Sequence, residues 1–310
     1  MKPALSIVFF TTLAGSAQGL LVALAVAVLV GLPLSPGFLS AALAVAGVLL
    51  MAGLVASFFH LGRPERAWRS ALMWRTSWMS REVIVLPAFI GLVALWWLAV
   101  WLQVRAPWLL LLPAAAIVGA AVLWYCTAMI YACLRFIEEW AHPLTIVNYA
   151  LIGMSSGLIL ACALAAVSGE GAMLQAAAPW ALAFTLAAWL TRTLALRRNA
   201  ALKPKSNLQS ATGIRSPQLV QKSMGMSAGS YNTREFFHGA SAIAVKQAKL
   251  AFIVLGFAVP AALLLWGLLG GPALAWVLAV LVQAPGLLAE RWFFFAQARH
   301  PQNLYYQAVS

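Results

Sequence analysis

The sequence predicts an all-α, polytopic integral membrane protein with about eight transmembrane helices, and three observations carry that expectation. Of its 310 residues, 64% are hydrophobic and only 9% are charged, a balance foreign to water-soluble domains. The apolar residues gather into uncharged runs of roughly the 20 residues needed to cross a hydrocarbon core. The charged residues fall between those runs, and almost always between the same alternate pairs of them.

The runs lie near 5 to 32, 38 to 60, 83 to 104, 107 to 131, 144 to 167, 174 to 191, 250 to 269 and 272 to 289. The stretch from Lys2 to Ala17 has the order of a secretory signal. Its apolar run continues to Val30, which reads as a retained first span. Four connections are short and rich in Pro or Gly: Gly31 to Gly37, Arg105-Ala106-Pro107, Ser168-Gly169-Glu170-Gly171 and Gly270-Gly271-Pro272. Such breaks stop one helix and start an antiparallel neighbour.

The other connections, 61 to 82, 132 to 143 and 192 to 249, are longer and hold the charge. With eight spans they share a membrane face with both termini. Of 20 Lys and Arg, only Arg105 falls on the opposite face, and of seven acids only Glu170. The positive-inside rule makes the charged face cytoplasmic, the longest loop counting for less. A soluble chain with this net charge of +13 would suggest nucleic acid. With the cations in loops between spans, a docked partner protein and anionic lipid are the expected contacts, and nucleic acid is not. Lys203 to Gly239 is the one stretch of soluble-like composition, long enough to be a docking segment ordered by a partner.

The spans themselves hold little that a transporter needs. Ions and polar solutes require ionisable or unwound elements near mid-membrane, whereas the notable polar residues here are Gln18 and Gln283. Both read as interhelical hydrogen bonds or cavity-lining groups. Pro260 and Pro285 read as kinks. His60, His142, His238 and His300 all lie at or beyond helix ends on the charged face, so no axial pair for a transmembrane haem is expected. Cys126, Cys133 and Cys162 sit in apolar runs without ligand spacing, as reduced packing residues rather than metal ligands.

The densest chemistry runs from His60-Leu61-Gly62-Arg63-Pro64-Glu65-Arg66-Ala67-Trp68 to Arg75-Thr76-Ser77-Trp78-Met79-Ser80-Arg81-Glu82. His60 closes the second span and Glu82 opens the third, so a loop at the interface can bring a proton-handling pair together beside lipid. Quinone chemistry moves two electrons and two protons. It needs an apolar slot, donors for the carbonyl oxygens and a titratable group, a role that imidazole with its pKa near about 6.5 suits. Trp68, Trp74 and Trp78 can wall such a slot while Arg66, Arg75 and Ser80 donate. The same residues also suit plainer roles: tryptophans as an interfacial belt, His60 and Glu82 as charges placed against helix dipoles.

The run His-Leu-Gly-x-Pro-x-Arg-Ala-aromatic at His60 to Trp68, followed by Ser80-Arg81-Glu82, resembles the dimethyl sulfoxide reductase anchor family, the membrane subunits of three-subunit molybdenum oxidoreductases. The likeness extends to the eight-span plan, while its specific motif is confined to the second and third spans. It implies a subunit without haem that exchanges electrons with ubiquinone or menaquinone. The molybdenum cofactor and the iron–sulfur clusters would reside only in partners, a catalytic subunit and an electron-transfer subunit. It ties His60 and Glu82 to the quinone; Arg66, Trp68, Arg75, Trp78, Ser80 and Tyr131 are further candidate binding residues on the chemistry of their side chains alone. It also places the chain in a bacterial inner membrane. The Trp74 to Trp78 loop and the segment Asn232 to Gly239 depart from the enterobacterial reductases and look more like the quinone-linked, sulfite-oxidising branch. A reductase anchor oxidising menaquinol and a small-solute transporter are the alternatives.

Two further groups stand out. Tyr125, Tyr131, Arg135, Glu138, Glu139, Trp140 and His142 surround the end of the fourth span, where they complete a pocket, meet a partner or form a solvated loop. Glu290-Arg291-Trp292-Phe293-Phe294-Phe295, with Arg299 and His300 beyond, reads as an interfacial anchor or a docking surface.

Overall fold

The structure, a computed structural model, describes residues 1–59, 61–222 and 236–305. His60 and residues 232–235 of the long basic segment therefore lie outside the described residues. Among the described residues, eight helices are long and apolar enough to span a bilayer, and the protein is a multi-pass membrane protein. They are α1 (Leu5–Leu29), α2 (Pro36–Phe58), α3 (Trp78–Trp101), α4 (Leu111–Ala132), α5 (Pro143–Ser168), α6 (Gly171–Ala200), α7 (Ala242–Leu268) and α8 (Leu274–Ala296). No strand occurs among the described residues.

Local chemistry sets the helix ends. Ser35, Ser77 and Ser241 accept hydrogen bonds from the backbone N–H three residues on, at 3.2, 3.3 and 3.2 Å, and His142 accepts from Leu144 N at 3.2 Å. Each satisfies a donor that the first helical turn leaves free. Gly169 closes α5 with φ +72°, a left-handed conformation that glycine adopts without strain. On the sparsely charged face Glu170 accepts from both the backbone N–H and the hydroxyl of Ser35, joining the α1–α2 hairpin to the α5–α6 turn.

Helices α1 and α5 form the centre. Their most apolar stretches are 56% and 61% buried, against 22% for α3 and 28% for α7. A β-carbon added to Gly157 would stand 2.1 Å from backbone atoms of Gly19 and Leu20, and one on Gly19 2.0 Å from Gly153 O. Gly15-x-x-x-Gly19 on α1 thus meets Gly153-x-x-x-Gly157 on α5 backbone to backbone, the close packing that small residues permit between spans. Around this pair, α2 and α4 pack on α1, α6 packs on α5, α3 lies against α2 and α4, and α8 joins α5 to α7.

Both buried glutamines bond between helices. Gln18 Nε2 donates to Ala120 O at 3.1 Å, and Gln283 Nε2 donates to Ser155 Oγ at 3.0 Å and Gly256 O at 3.3 Å. Gly256 lies in a π-helical turn, Val254–Ala258, four residues before Pro260. Proline has no N–H to return to that carbonyl, and the Gln283 amide serves it instead.

Four boundaries differ from the sequence reading, one of them at α3, which begins at Trp78 rather than near 83. Helix α6 continues past 191 to Ala200, α8 past 289 to Ala296, and α7 begins at Ala242 rather than near 250. In α6 and α8 charge does not end the span, because Glu290 pairs with both Arg192 and Arg291 inside the bundle, where charge is tolerated when it is paired. The connection between α6 and α7 outside these helices is correspondingly shorter than 192 to 249.

Candidate functional site

The first turns of α3 carry the site. Ser77 caps the helix, so Trp78, Ser80 and Glu82 emerge within its first two turns. Ser80 and Glu82 are 2% and 8% exposed. Glu82 lies about 6 Å along the axis from the helix start, at the rise of an α-helix, close to the charged face yet out of water. Its carboxylate accepts a hydrogen bond from Thr127 Oγ1 of α4. A buried carboxylate needs such a donor, and Thr127 supplies it from the neighbouring span.

Trp78 is held on both sides. Tyr125 of α4 meets it edge to face at 5.2 Å, and the Arg81 guanidinium lies 4.0 Å over its ring, a cation–π contact. Arg81 also donates to Trp74 O and Arg75 O, each at 2.9 Å, stapling the incoming loop to α3. Helix α3 is the least buried span, and next to Trp78 and Glu82 it exposes Met79, Val83 and Ile84.

The structure thus brings together Trp78, Ser80 and Glu82, with Tyr125 and Thr127. Arg66, Trp68 and Arg75 do not join them. They lie exposed along 64–76, a segment that opens with a 3-10 helix, Pro64–Ala71. There Arg66 pairs with Glu65 at 3.9 Å and Arg75 lies 5.4 Å over Trp74. Trp68 is 62% exposed, as an interfacial residue would be. Tyr131 stands one turn beyond Thr127 on the same face of α4. It packs in an aromatic cluster with Trp140, Tyr149, Phe294 and Phe295, ring centres 5.2 to 5.9 Å away.

Behind that cluster lies a group that the sequence reading did not assemble. Arg192 of α6 and Arg291 of α8 both pair with Glu290, at 2.6 and 3.4 Å, and all three are under 5% exposed. Arg291 also lies 3.9 Å over the Tyr149 ring. Glu290 and Arg291 are therefore not an interfacial anchor. Positions 290 and 291 adjoin in sequence, but their partners Arg192 and Tyr149 come from other spans, and a single sequence carries no signal for such pairing.

The loop between α4 and α5 packs over this region on the charged side. Trp140 Nε1 donates to Phe294 O at 3.0 Å, Arg198 to Glu138 O at 2.9 Å, and Lys205 pairs with Glu138 at 3.4 Å. His142 is kept below its ordinary pKa by burial and then by Arg198. Its neutral ring accepts from Leu144 N as the cap of α5.

Residues 1–218 match the family model of the DMSO reductase anchor subunit (DmsC). The chain is also 45% identical to a sulfite dehydrogenase subunit from Allochromatium vinosum, over the full length of both. An eight-helix membrane bundle, matched by that model over more than half of its length, belongs to the DMSO reductase anchor subunit family.

Proposed function

We propose that this protein is the membrane anchor and quinone-reactive subunit of a molybdenum and iron–sulfur oxidoreductase that oxidises sulfite. The observation that carries the quinone reading is the buried Glu82 carboxylate, held by Thr127 beside an aromatic wall on the least buried helix. An isoprenoid quinone is an apolar ring with two carbonyl oxygens and arrives from lipid. The edge of α3 offers a surface for the ring, and Glu82 offers a proton donor or acceptor for one oxygen. His60, just beyond the end of α2, handles the other proton. Family membership and the full-length likeness to a sulfite dehydrogenase subunit support the rest of the assignment.

In this account a docked iron–sulfur subunit passes electrons to ubiquinone or menaquinone at the charged face, and a molybdenum subunit beyond it performs the substrate chemistry. The cationic 64–76 segment and the long α6–α7 connection are the docking surfaces. With the charged face toward the cytoplasm of a bacterial inner membrane, protons and electrons enter from the same side, so turnover moves no net charge across the membrane.

A photoactivatable short-chain quinone applied to the intact membrane-bound complex tests the placement. Label is expected in the peptide holding Trp78 to Glu82, and excess unlabelled quinone should displace it. Displaceable label confined to α7 or α8 contradicts the assignment.

A further inference from the structure

Two small cavities, each lined by polar side chains among apolar ones, lie within the bundle toward the charged side, and Tyr149 and Arg291 border both. The inner one is bounded by Thr11, Ser16, Gln18, Trp124, Thr127 and Tyr149; the outer one by Asn148, Tyr149, Arg192, Glu290, Glu139 and His142. Each has room for about one water molecule, and a polar cavity of that size holds water when it supplies hydrogen-bonding partners. The partners are present. Trp124 and Tyr149 both line the inner cavity and are 92% and 96% buried; Trp124 Nε1 has no hydrogen-bond partner among the described residues, while the Tyr149 hydroxyl faces Tyr131 and Arg291 without a well-aligned bond to either. A buried polar atom left without a partner is destabilising, and a bound water removes that cost. Thr127 touches the inner cavity and also donates to Glu82.

We infer that these cavities hold a proton relay, running from the charged face past Glu139 and His142, through water at Tyr149, to Thr127 and Glu82. The inference rests on the quinone reading of Glu82. Its balance is simple. The iron–sulfur subunit supplies two electrons and the quinone takes up two protons, forming two O–H bonds. At the carbonyl beside Glu82 the carboxyl O–H breaks as the quinone O–H forms. The carboxylate then regains a proton through the Thr127 hydroxyl, which passes its own on and takes one from the inner water. Tyr149 hands protons between the two waters in the same manner. The groups occupy one layer: Thr127 and Arg291 lie five residues before the ends of α4 and α8, and Tyr149 six after the start of α5, all about 8–9 Å in from the charged face. The relay therefore needs no passage through the membrane centre.

Tyr149→Phe in the intact complex tests this, because it removes the hydroxyl and keeps the ring under Arg291. Turnover with quinone, normalised to turnover with a soluble electron acceptor, is expected to fall about tenfold and to acquire a solvent deuterium isotope effect, since a proton-transfer step then limits the rate. Quinone photolabelling at Trp78 to Glu82 should persist. Thr127→Ser, which keeps a hydroxyl, should retain turnover, whereas Thr127→Val should lose it. Unchanged rate and isotope effect in Tyr149→Phe overturn the relay, and so does loss of photolabelling, which would place Tyr149 in quinone binding itself. Failure of the quinone reading looks different: Glu82→Gln would then keep full turnover with quinone. If Glu82→Gln loses turnover while Tyr149→Phe does not, the relay alone is wrong.

Discussion

Replacing Glu290 by glutamine is expected to destabilise the protein by about 3–5 kcal/mol, the cost of removing one partner from a buried ion pair. Glu290 is 1% exposed and is shared by two guanidiniums that are themselves buried. The amide keeps the shape but leaves Arg192 and Arg291 as two unopposed cations in a low-dielectric layer. Arg291 retains the face of Tyr149 at 3.9 Å, whereas among the described residues Arg192 keeps the Phe252 ring at 5.5 Å, so Arg192 carries most of the penalty. Glu290→Gln combined with Arg192→Leu should therefore recover much of the loss. Thermal unfolding of the detergent-solubilised protein, with the yield of monodisperse material, measures both variants. A Glu290→Gln protein as stable as the parent would show that the pairing contributes nothing.

Gly157→Ala is the second large effect. Its β-carbon would lie 2.1 Å from the backbone of α1, and a backbone cannot rotate away as a side chain can. The two central helices must part, and every span packed on them shifts. Overpacking of this kind costs typically 1–3 kcal/mol and more where nothing can yield, so the loss should reach about 3 kcal/mol and appear as failure to accumulate in the membrane. Gly47→Ala on α2 is the matched control, because nothing lies within 4 Å of its added β-carbon. Equal accumulation of the two variants would contradict the close approach of α1 and α5.

Much of the architecture was legible in the sequence because the membrane imposes it. A stretch such as 38 to 60 can satisfy its backbone in lipid only as a helix, and Gly270-Gly271-Pro272 can only break one. The site was legible in part. Glu82 stands out because only 9% of the chain is charged, and Trp78 only because it lies four residues from Glu82, since the chain has 14 tryptophans. Thr127 was missed because a threonine near the end of an apolar run looks like any other, until α4 is seen to face Glu82. Arg192, Glu290 and Arg291 were misassigned for a related reason: position along the chain suggested a surface, and only the pairing of α6 with α8 puts them inside. Arg66, Trp68 and Arg75 share the dense motif with Glu82, yet the 3-10 helix and the turn after it leave them exposed. Proximity in sequence does not ensure convergence in space.

The central claim is that Glu82 exchanges a proton with quinone. The most direct measurement is the turnover of the assembled complex carrying Glu82→Gln, with sulfite as electron donor, using quinone and then a soluble acceptor that draws electrons from the partner subunits. Glutamine keeps an oxygen to accept from Thr127 and lacks the titratable proton. The account predicts a loss of about 100-fold or more with quinone, the scale of a missing acid–base group, and unchanged turnover with the soluble acceptor. Parental turnover with quinone in a fully assembled Glu82→Gln complex would contradict it.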